Sequence, residues 1–365
     1  MNMPTSTRLH SLDVFRGITM FLLMAEAAMV YQALTNYFPD GFGHSIVQQF
    51  HHHPWNGLRF WDLIQPFFMF IVGVAMPFSL RSRLKRGDSW NDAFRHILYR
   101  CMMLFLFGVG LHCVYSGRIV WELWNVLTQL SFTILLTFLI LHLSWKKQLA
   151  VSIFCLLLTE ILYRLYDPAT PFVKDANFGS WMDLLLMSKI DDGGGWVTIN
   201  CLPTAAHTIW GAICGKLLLS QHSASNKLKW LIIGGVIALV LGYGLDLAEI
   251  TPIIKRIATS SFALASGGWA LLTLAFLYWF VDIKGYQRWT PFFAIVGMNS
   301  IFIYLFGETI GVQWLGGFGK VFSYSIFGAL GVSELGLAVI NGFFVLGMMW
   351  GLCYFLYRKG IFFRV

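Results

Sequence analysis

Residues 50–73 read FHHHPWNGLRFWDLIQPFFMFIVG, and this stretch indicates the fold class. A polar segment with three consecutive histidines leads directly into an apolar run that continues through VAMPFSL to Leu80. An apolar run of about 20 residues is long enough to cross the hydrocarbon core of a bilayer as an α-helix. The stretch therefore predicts a membrane-spanning helix with titratable side chains at its entrance.

The composition of the whole chain points the same way. Hydrophobic residues make up 57% of the 365 residues and charged residues only 12%, whereas a soluble domain has about 25% charged residues. We predict an all-α, polytopic membrane protein that forms a single transmembrane domain over residues 1–365. The ten predicted spans lie near residues 14–35, 60–80, 94–115, 121–143, 149–166, 199–219, 229–246, 258–282, 291–310 and 333–357.

The basic residues predict the orientation of these spans. Of the 26 lysines and arginines, 17 fall on one side of the predicted topology, including the cluster RSRLKRGDSWNDAFRHILYR at residues 81–100. Cytoplasmic loops are enriched in Lys and Arg, so we expect both termini in the cytoplasm and the chain in the cell (inner) membrane. The non-cytoplasmic loops then cover about residues 36–59, 167–198 and 247–257. Orientation and contact with anionic lipid account for the net charge of +8 without a nucleic-acid partner.

The cysteines and histidines do not predict a metal site. The six cysteines lie mostly inside apolar segments and form no CxxC pair, which is typical of small buried side chains. The triplet His51–His53 has no second cluster of ligand residues at suitable spacing, and a zinc site normally uses three or four protein ligands. We therefore expect no metal.

Ionisable residues inside apolar helices are costly and are candidates for function. Asp13 and Arg16 are three residues apart in the first span, so they either anchor its cytoplasmic end or take part in binding. Asp62 lies near the outer end of the second span, where it can complement the helix dipole or orient a nearby imidazole. Asn299 and Ser300 form a polar pair in the ninth span that serves either helix packing or a bound group.

The histidine triplet has two readings besides a metal site. Surface histidines without a role are common, but an imidazole titrates near neutrality and suits a general base that takes a proton from an attacking amine or hydroxyl. Pro54 disfavours a helix at the preceding residue, so the triplet belongs to a loop. Trp55 and Asn56 directly follow and offer an aromatic face and an amide to a sugar.

Four segments together carry a family resemblance: SLDVFRG (11–17), HHHPWNGLRFWDLIQPFFMFIVGVAMPFSL (51–80), TPIIKRIATSSFALASGGWALL (251–272) and GMNSIFIY (297–304). They occur in this order in the heparan-α-glucosaminide N-acetyltransferase-like family of transmembrane acyltransferases, which the chain resembles from about residue 9 to its C-terminus. The resemblance implies that an acetyl group passes from cytosolic acetyl-CoA to a glucosamine-type amine on the opposite face. The active histidine of the family corresponds to His52, although its neighbours His51 and His53 stay open as alternatives.

These inferences define a set of expected site residues. The expected catalytic residues are His52 as general base or acyl carrier, Asp62 as its orienting carboxylate, and Asn56. The residues expected to bind acetyl-CoA, which is a co-substrate, are Asp13, Arg16, Arg81, Lys216, Asn299 and Ser300. The expected acceptor is an amino sugar or a glycan end, with membrane lipid around the protein; the sequence leaves a homodimer open. A proton-coupled transporter of sugars or small solutes is the alternative function.

Overall fold

The computed structural model describes residues 9–191 and 193–363, which are helical and contain no strand. The α-helices, in chain order, are α1 (His10–Ala27), α2 (Val30–Tyr37), α3 (Gly41–Val47), α4 (Ile64–Lys85), α5 (Trp90–Ser116), α6 (Val126–Leu139), α7 (Trp145–Tyr166), α8 (Phe178–Met187), α9 (Cys201–Leu219), α10 (Ala224–Leu247), α11 (Ser260–Leu277), α12 (Thr290–Met298), α13 (Ser300–Phe306), α14 (Gly316–Gly328) and α15 (Glu334–Arg358). Three 3-10 turns cover Gln48–Phe50, Phe60–Leu63 and Thr198–Asn200, and two π-helical segments cover Tyr278–Ile283 and Gly307–Leu315.

Six helices of the described chain are long and apolar enough to cross a membrane, or eight if each of two bent helix pairs forms one span. The predicted class of polytopic helical membrane protein is therefore confirmed. Two of the ten predicted spans coincide with helices outside this set, namely α6, with 14 residues, and α9, with 19. The number ten and the cytoplasmic termini stay predictions.

The described residues divide into two compact units, one made of residues 9–39 and 272–363 and the other of residues 40–191 and 193–271. In the second unit, α4 and α9 pack closely along their glycines. An added Cβ at Gly73 would overlap the carbonyl of Thr208, and one at Gly211 would overlap the backbone of Phe70. An added Cβ at Gly215 would likewise overlap the carbonyl of Val74. The contacts thus advance along both helices in the same direction, from Phe70 and Gly211 to Val74 and Gly215, so the two helices run parallel. Small residues allow this backbone approach, which drives helix association within a bilayer.

Helix α9 carries polar side chains that bind neighbouring helices. Thr208 donates to Thr133 Oγ1 of α6 at 3.1 Å, and Trp210 Nε1 donates to Ser152 Oγ of α7 at 2.9 Å. His207 Nε2 lies 2.9 Å from Ser266 Oγ of α11. These hydrogen bonds reduce the desolvation cost of placing the polar side chains of α9 in the interior of the unit.

The other unit contains both bent helix pairs. Helices α1 and α2 meet at 62°, with the left-handed residue Met29 (φ 60°) at the junction. Helices α12 and α13 meet at 75° around Asn299, which is fully buried. The Asn299 amide donates to the carbonyl of Ile361 at 3.1 Å and accepts from the backbone N–H of Phe363 at 2.9 Å. The side chain of Asn299 therefore holds the C-terminal segment.

Candidate active site

The structure brings together His52 and Asp62, two of the predicted site residues. His52 lies in the loop after the turn Gln48–Phe50, and Asp62 lies in the turn Phe60–Leu63 that leads into α4. Nδ1 of His52 is 2.9 Å from Oδ1 of Asp62. The side chain of Asp62 is 1% exposed and that of His52 is 34% exposed, so the imidazole reaches the surface while its carboxylate partner is buried.

The second oxygen of Asp62 binds the backbone of the loop that connects His52 to Asp62. Oδ2 accepts the backbone N–H of Arg59 at 2.9 Å and that of His53 at 3.2 Å. The guanidinium of Arg59 in turn donates to the carbonyl of His52 at 3.1 Å. Asp62 therefore accepts backbone N–H groups before the helical segment and contacts the imidazole ring; its role in orienting a catalytic histidine stays a prediction.

A lysine from a distant segment completes the cluster. Lys255, which is 7% exposed, places Nζ 3.1 Å from Nδ1 of His52 and 3.8 Å from Oδ1 of Asp62. The ring of Trp196 stands edge-on to the imidazole, with centroids 5.6 Å apart and planes at 74°. Lys255 and Arg256 both lie against the Trp196 ring, at 5.4 and 5.7 Å from its centroid. The sequence analysis assigned no role to Lys255 or Trp196.

The surroundings of His52 favour the neutral imidazole. Burial, together with the charge of Lys255, lowers the pKa of His52 to about 4, and Arg256 acts in the same direction. The hydrogen bond and the charge of Asp62 oppose this shift without reversing it. At neutral pH the ring is therefore uncharged, which is the form required of a base or a nucleophile.

The partners of Nδ1 determine which ring nitrogen carries the hydrogen. An ionised carboxylate only accepts hydrogen bonds, so the contact with Asp62 requires hydrogen on Nδ1 and leaves the lone pair on Nε2. An ammonium group only donates, so a hydrogen bond from Lys255 requires the opposite tautomer. The two hydrogen bonds exclude each other, and the tautomer with Asp62 bonded makes Nε2 the basic nitrogen.

The segment that carries Trp196 is held by carboxylates on both sides. Asp191 Oδ2 accepts from the backbone N–H of Gly194 at 2.8 Å and of Trp196 at 3.1 Å. Asp183 of α8, fully buried, accepts from the N–H of Thr198 at 3.1 Å and from Trp124 Nε1 at 2.7 Å. Burial raises the pKa of Asp183 and these donors oppose the rise. Trp196 is thus fixed as a wall beside His52.

The residues after the histidine triplet have structural contacts. Trp55 Nε1 donates to the carbonyl of Phe172 at 3.0 Å, which ties the loop to segment 167–177. The N–H of Gly57 donates to the carbonyl of Ile253 at 2.7 Å and so brings the Lys255 segment alongside. Asn56 lies exposed in this loop. Its catalytic role stays a prediction, and the indole of Trp55 is already used as a brace.

The residues predicted to bind the donor fall in two places. Arg81 is exposed near the C-terminal end of α4, and Lys216 near the end of α9 donates to the carbonyl of Leu143 at 2.8 Å. Because α4 and α9 are parallel, these two cations lie at the end opposite to Asp62. The 22 residues of α4 correspond to about 33 Å, similar to the thickness of a bilayer core. Asp13, Arg16, Asn299 and Ser300 belong to the other unit.

Fold and site together define a polytopic helical membrane protein with a histidine–carboxylate–lysine cluster at one end of its central helix pair. A protein-family profile described as "Domain of unknown function (DUF5009)" matches residues 8–188. The chain is 26% identical over 374 residues to heparan-alpha-glucosaminide N-acetyltransferase of Mus musculus, covering 84% of this chain and 54% of that protein. It is 25% identical over 366 residues to the Homo sapiens protein of the same name, covering 82% and 52%.

These comparisons confirm the resemblance predicted from the sequence. The curated homologues of the chain are heparan-alpha-glucosaminide N-acetyltransferases. The chain spans about half of the length of these relatives.

Proposed function

We propose that the protein is a transmembrane acetyltransferase that moves an acetyl group from acetyl-CoA to the amine of an amino sugar or glycan end on the opposite face. The arrangement of His52 carries this proposal: its surroundings favour the neutral imidazole, its Nδ1 is 2.9 Å from a buried carboxylate, and the tautomer bonded to that carboxylate has Nε2 as the basic nitrogen. The names of the homologues support the same chemistry.

In the direct route, the acceptor amine attacks the thioester carbonyl carbon. The new C–N bond forms, the C–S bond breaks, and the amine proton passes to Nε2 of His52. The imidazolium then returns this proton to the leaving thiolate, so that CoA leaves as its thiol. Asp62 stabilises the imidazolium that forms for a moment, the role a carboxylate has in other histidine-based acyl transfers. In the alternative route Nε2 itself attacks the thioester, the C–S bond breaks, and CoA leaves as its thiolate. The amine then attacks the acetyl-imidazole, the bond to Nε2 breaks, and the amine proton goes to the thiolate. Both routes need an uncharged ring with a lone pair on Nε2.

The donor is proposed to bind from the basic, cytoplasmic side. Arg81 and Lys216 lie at the end of the α4–α9 pair opposite to Asp62, where they suit the phosphates of CoA. Asp13, Arg16, Asn299 and Ser300, which belong to the other unit, keep their predicted role in donor binding as a separate prediction, and the amide of Asn299 is engaged by the C-terminal segment. The proposal includes ten membrane spans, both termini in the cytoplasm, and insertion in the cell membrane.

Acetyl transfer by purified protein tests the proposal. Wild type, His52→Ala and His222→Ala would be reconstituted in nanodiscs and supplied with radiolabelled acetyl-CoA and glucosamine. His222 is an exposed histidine in the loop between α9 and α10, so it serves as the matched control. We expect His52→Ala to lose about 10²–10⁴-fold in rate, the usual contribution of a general base, and His222→Ala to keep its rate. Equal turnover of His52→Ala and wild type would contradict the proposal.

The bent helices favour the second candidate, a proton-coupled transporter. Helices interrupted near mid-span form the binding sites of many transporters, and the pairs α1–α2 and α12–α13 bend by 62° and 75°. Saturable uptake of labelled glucosamine into proteoliposomes without CoA, with no acetylated product, would establish this alternative.

A further inference from the structure

The position of Lys255 relative to His52 suggests a role beyond packing. Its buried ammonium lies 3.1 Å from Nδ1 of the imidazole, closer than its 3.8 Å approach to the carboxylate. A lysine that only neutralised Asp62 would contact a carboxylate oxygen remote from the histidine. Here the imidazole and the ammonium both lie next to the same oxygen, Oδ1 of Asp62. The ammonium is therefore close enough to the ring to change the energy of its protonated form.

A second cluster in the same unit shows the other arrangement. His112 Nδ1 lies 2.6 Å from Oε2 of Glu122, while Lys189 donates to Oε1 of that carboxylate. Lys189 therefore binds the oxygen that the imidazole does not use. The comparison identifies the feature special to His52: a lysine placed at the histidine nitrogen itself.

We infer that Lys255 is a positioning residue that keeps His52 uncharged and thereby preserves its base or nucleophile form in acid conditions. The inference rests on the proposed function only for the consequence in acetyl transfer; the effect on the imidazole stands without it. A second cation held close to a protonated imidazole raises the energy of that state, whereas the neutral ring pays no such penalty.

The other charged groups around His52 define the balance that Lys255 shifts. Asp62, from the turn before α4, favours the imidazolium. Arg256, from the same segment as Lys255, disfavours it more weakly. The guanidinium of Arg59 binds the carbonyl of His52, and Trp196 contributes an uncharged ring edge. Without Lys255, the charge of Asp62, which favours the imidazolium, outweighs the opposing charge of Arg256.

The direct test measures the protonation of His52 without any acetyl transfer. Diethyl pyrocarbonate modifies neutral imidazoles, and the 34% exposed side chain of His52 is accessible to it. Modification rates of His52, located by fragment ions that distinguish it from His51 and His53, would be measured by mass spectrometry from pH 3 to 8 in wild type, Lys255→Met, Lys255→Gln and Lys255→Arg. His222, exposed and remote in sequence, is the internal reference for reagent decay.

We expect His52 of wild type to stay reactive down to about pH 5. The midpoint is the pH at which the modification rate of His52 is half of its maximum. In Lys255→Met and Lys255→Gln this midpoint should move up by about 1–3 pH units, the usual effect of one nearby charge. Lys255→Arg retains the charge and should keep the wild-type midpoint. A midpoint that is the same in all four proteins would overturn the inference, because a lysine that only braces the fold does not change the titration of His52. Should Lys255→Met fail to fold, Lys255→Gln decides alone.

The acetyl-transfer assay separates this inference from the proposed function. If both hold, the acid limb of kcat/KM moves with the modification midpoint in the neutral variants. A shifted midpoint in proteins that transfer no acetyl group would uphold the role of Lys255 and reject the proposed function. Acetyl transfer whose acid limb is the same in wild type and in the neutral variants would uphold the proposed function and reject the role of Lys255.

Discussion

Oδ1 of Asp62 lies 2.9 Å from Nδ1 of His52, and this contact joins the start of a membrane helix to the loop that precedes it. The same carboxylate accepts two backbone N–H groups through Oδ2. One buried side chain therefore holds the backbone of the loop and contacts the imidazole ring.

The substitution Asp62→Asn should abolish most of the activity. An amide that donates to Nδ1 favours hydrogen on Nε2, which removes the basic lone pair. We expect kcat to fall by at least about 10²-fold, within the range that general bases contribute. Kinetics in nanodiscs would measure this, with the melting temperature as a check on folding. Activity within a factor of three of wild type, in a folded protein, would remove Asp62 from the mechanism.

The pH dependence of the wild-type rate should reflect the environment of His52. Its pKa is lowered to about 4 by burial and by Lys255, so the fraction of neutral imidazole stays high until the pH falls well below 6. We expect kcat/KM limited by this base to be level between pH 7 and 5.5 and to decline only under more acid conditions. An acid limb near the ordinary histidine pKa of about 6.5 would show that His52 is not held neutral.

Trp196 should be needed for activity through its fixed position. Its ring contacts His52 edge-on and lies beside two cations. Trp196→Leu removes the aromatic contacts, each worth about 0.5–1.5 kcal/mol, and frees the imidazole to move. We expect a fall in kcat of about tenfold, the rate equivalent of about 1.4 kcal/mol. Trp181→Leu, at a 42% exposed tryptophan of α8, is the control and should keep its rate; equal rates for both variants would contradict this role.

Gly57→Ala should destabilise the loop around the site. Gly57 has φ +138°, where side chains are rarely accommodated, and an added Cβ would lie 2.7 Å from Nε2 of His53. Backbone strain of this kind costs about 1–3 kcal/mol, so we expect a lower melting temperature and slower transfer. Gly110→Ala, with open space around the added carbon, should show neither effect. A Gly57→Ala protein as stable as wild type would mean that the loop can rearrange.

Gly211→Leu should separate the central helix pair. The added side chain would meet the backbone of Phe70, and α4 and α9 cannot remain in contact around it. We expect a marked loss of folded protein, measured as the monodisperse fraction after purification. The matched variant Gly244→Leu, in α10, faces open space and should purify like wild type. Equal yields would indicate that the parallel contact is not essential.

The fold class was predictable because apolar length is a local property of the sequence. The apolar run ending at Leu80 is an example. The bends around Met29 and Asn299 show the limit of prediction from apolar length. Hydropathy locates apolar segments, but it does not show that a helix breaks within one. Helix α9 illustrates the converse, since His207, Thr208 and Trp210 lower its hydropathy while their partners on three helices keep it buried.

The site was predictable only where its residues are close in sequence. His52 and Asp62 are ten residues apart in one motif, so a histidine and its orienting carboxylate could be recognised together. Lys255 comes from a segment 203 residues away; the sequence showed a basic pair there but nothing that linked it to the imidazole. Trp55 was predicted to offer its aromatic face to a sugar, which stays a prediction; the hydrogen bond from its N–H to the carbonyl of Phe172 was not predicted. Such contacts depend on packing that spacing does not reveal.

A sided assay tests the central claim most directly. Proteoliposomes of uniform orientation would contain glucosamine in the lumen and receive radiolabelled acetyl-CoA outside, at the face that carries Arg81 and Lys216. The account predicts that N-acetylglucosamine accumulates inside with wild type and not with His52→Ala. Equal luminal product from both proteins, or product formed only on the side of acetyl-CoA, would contradict it.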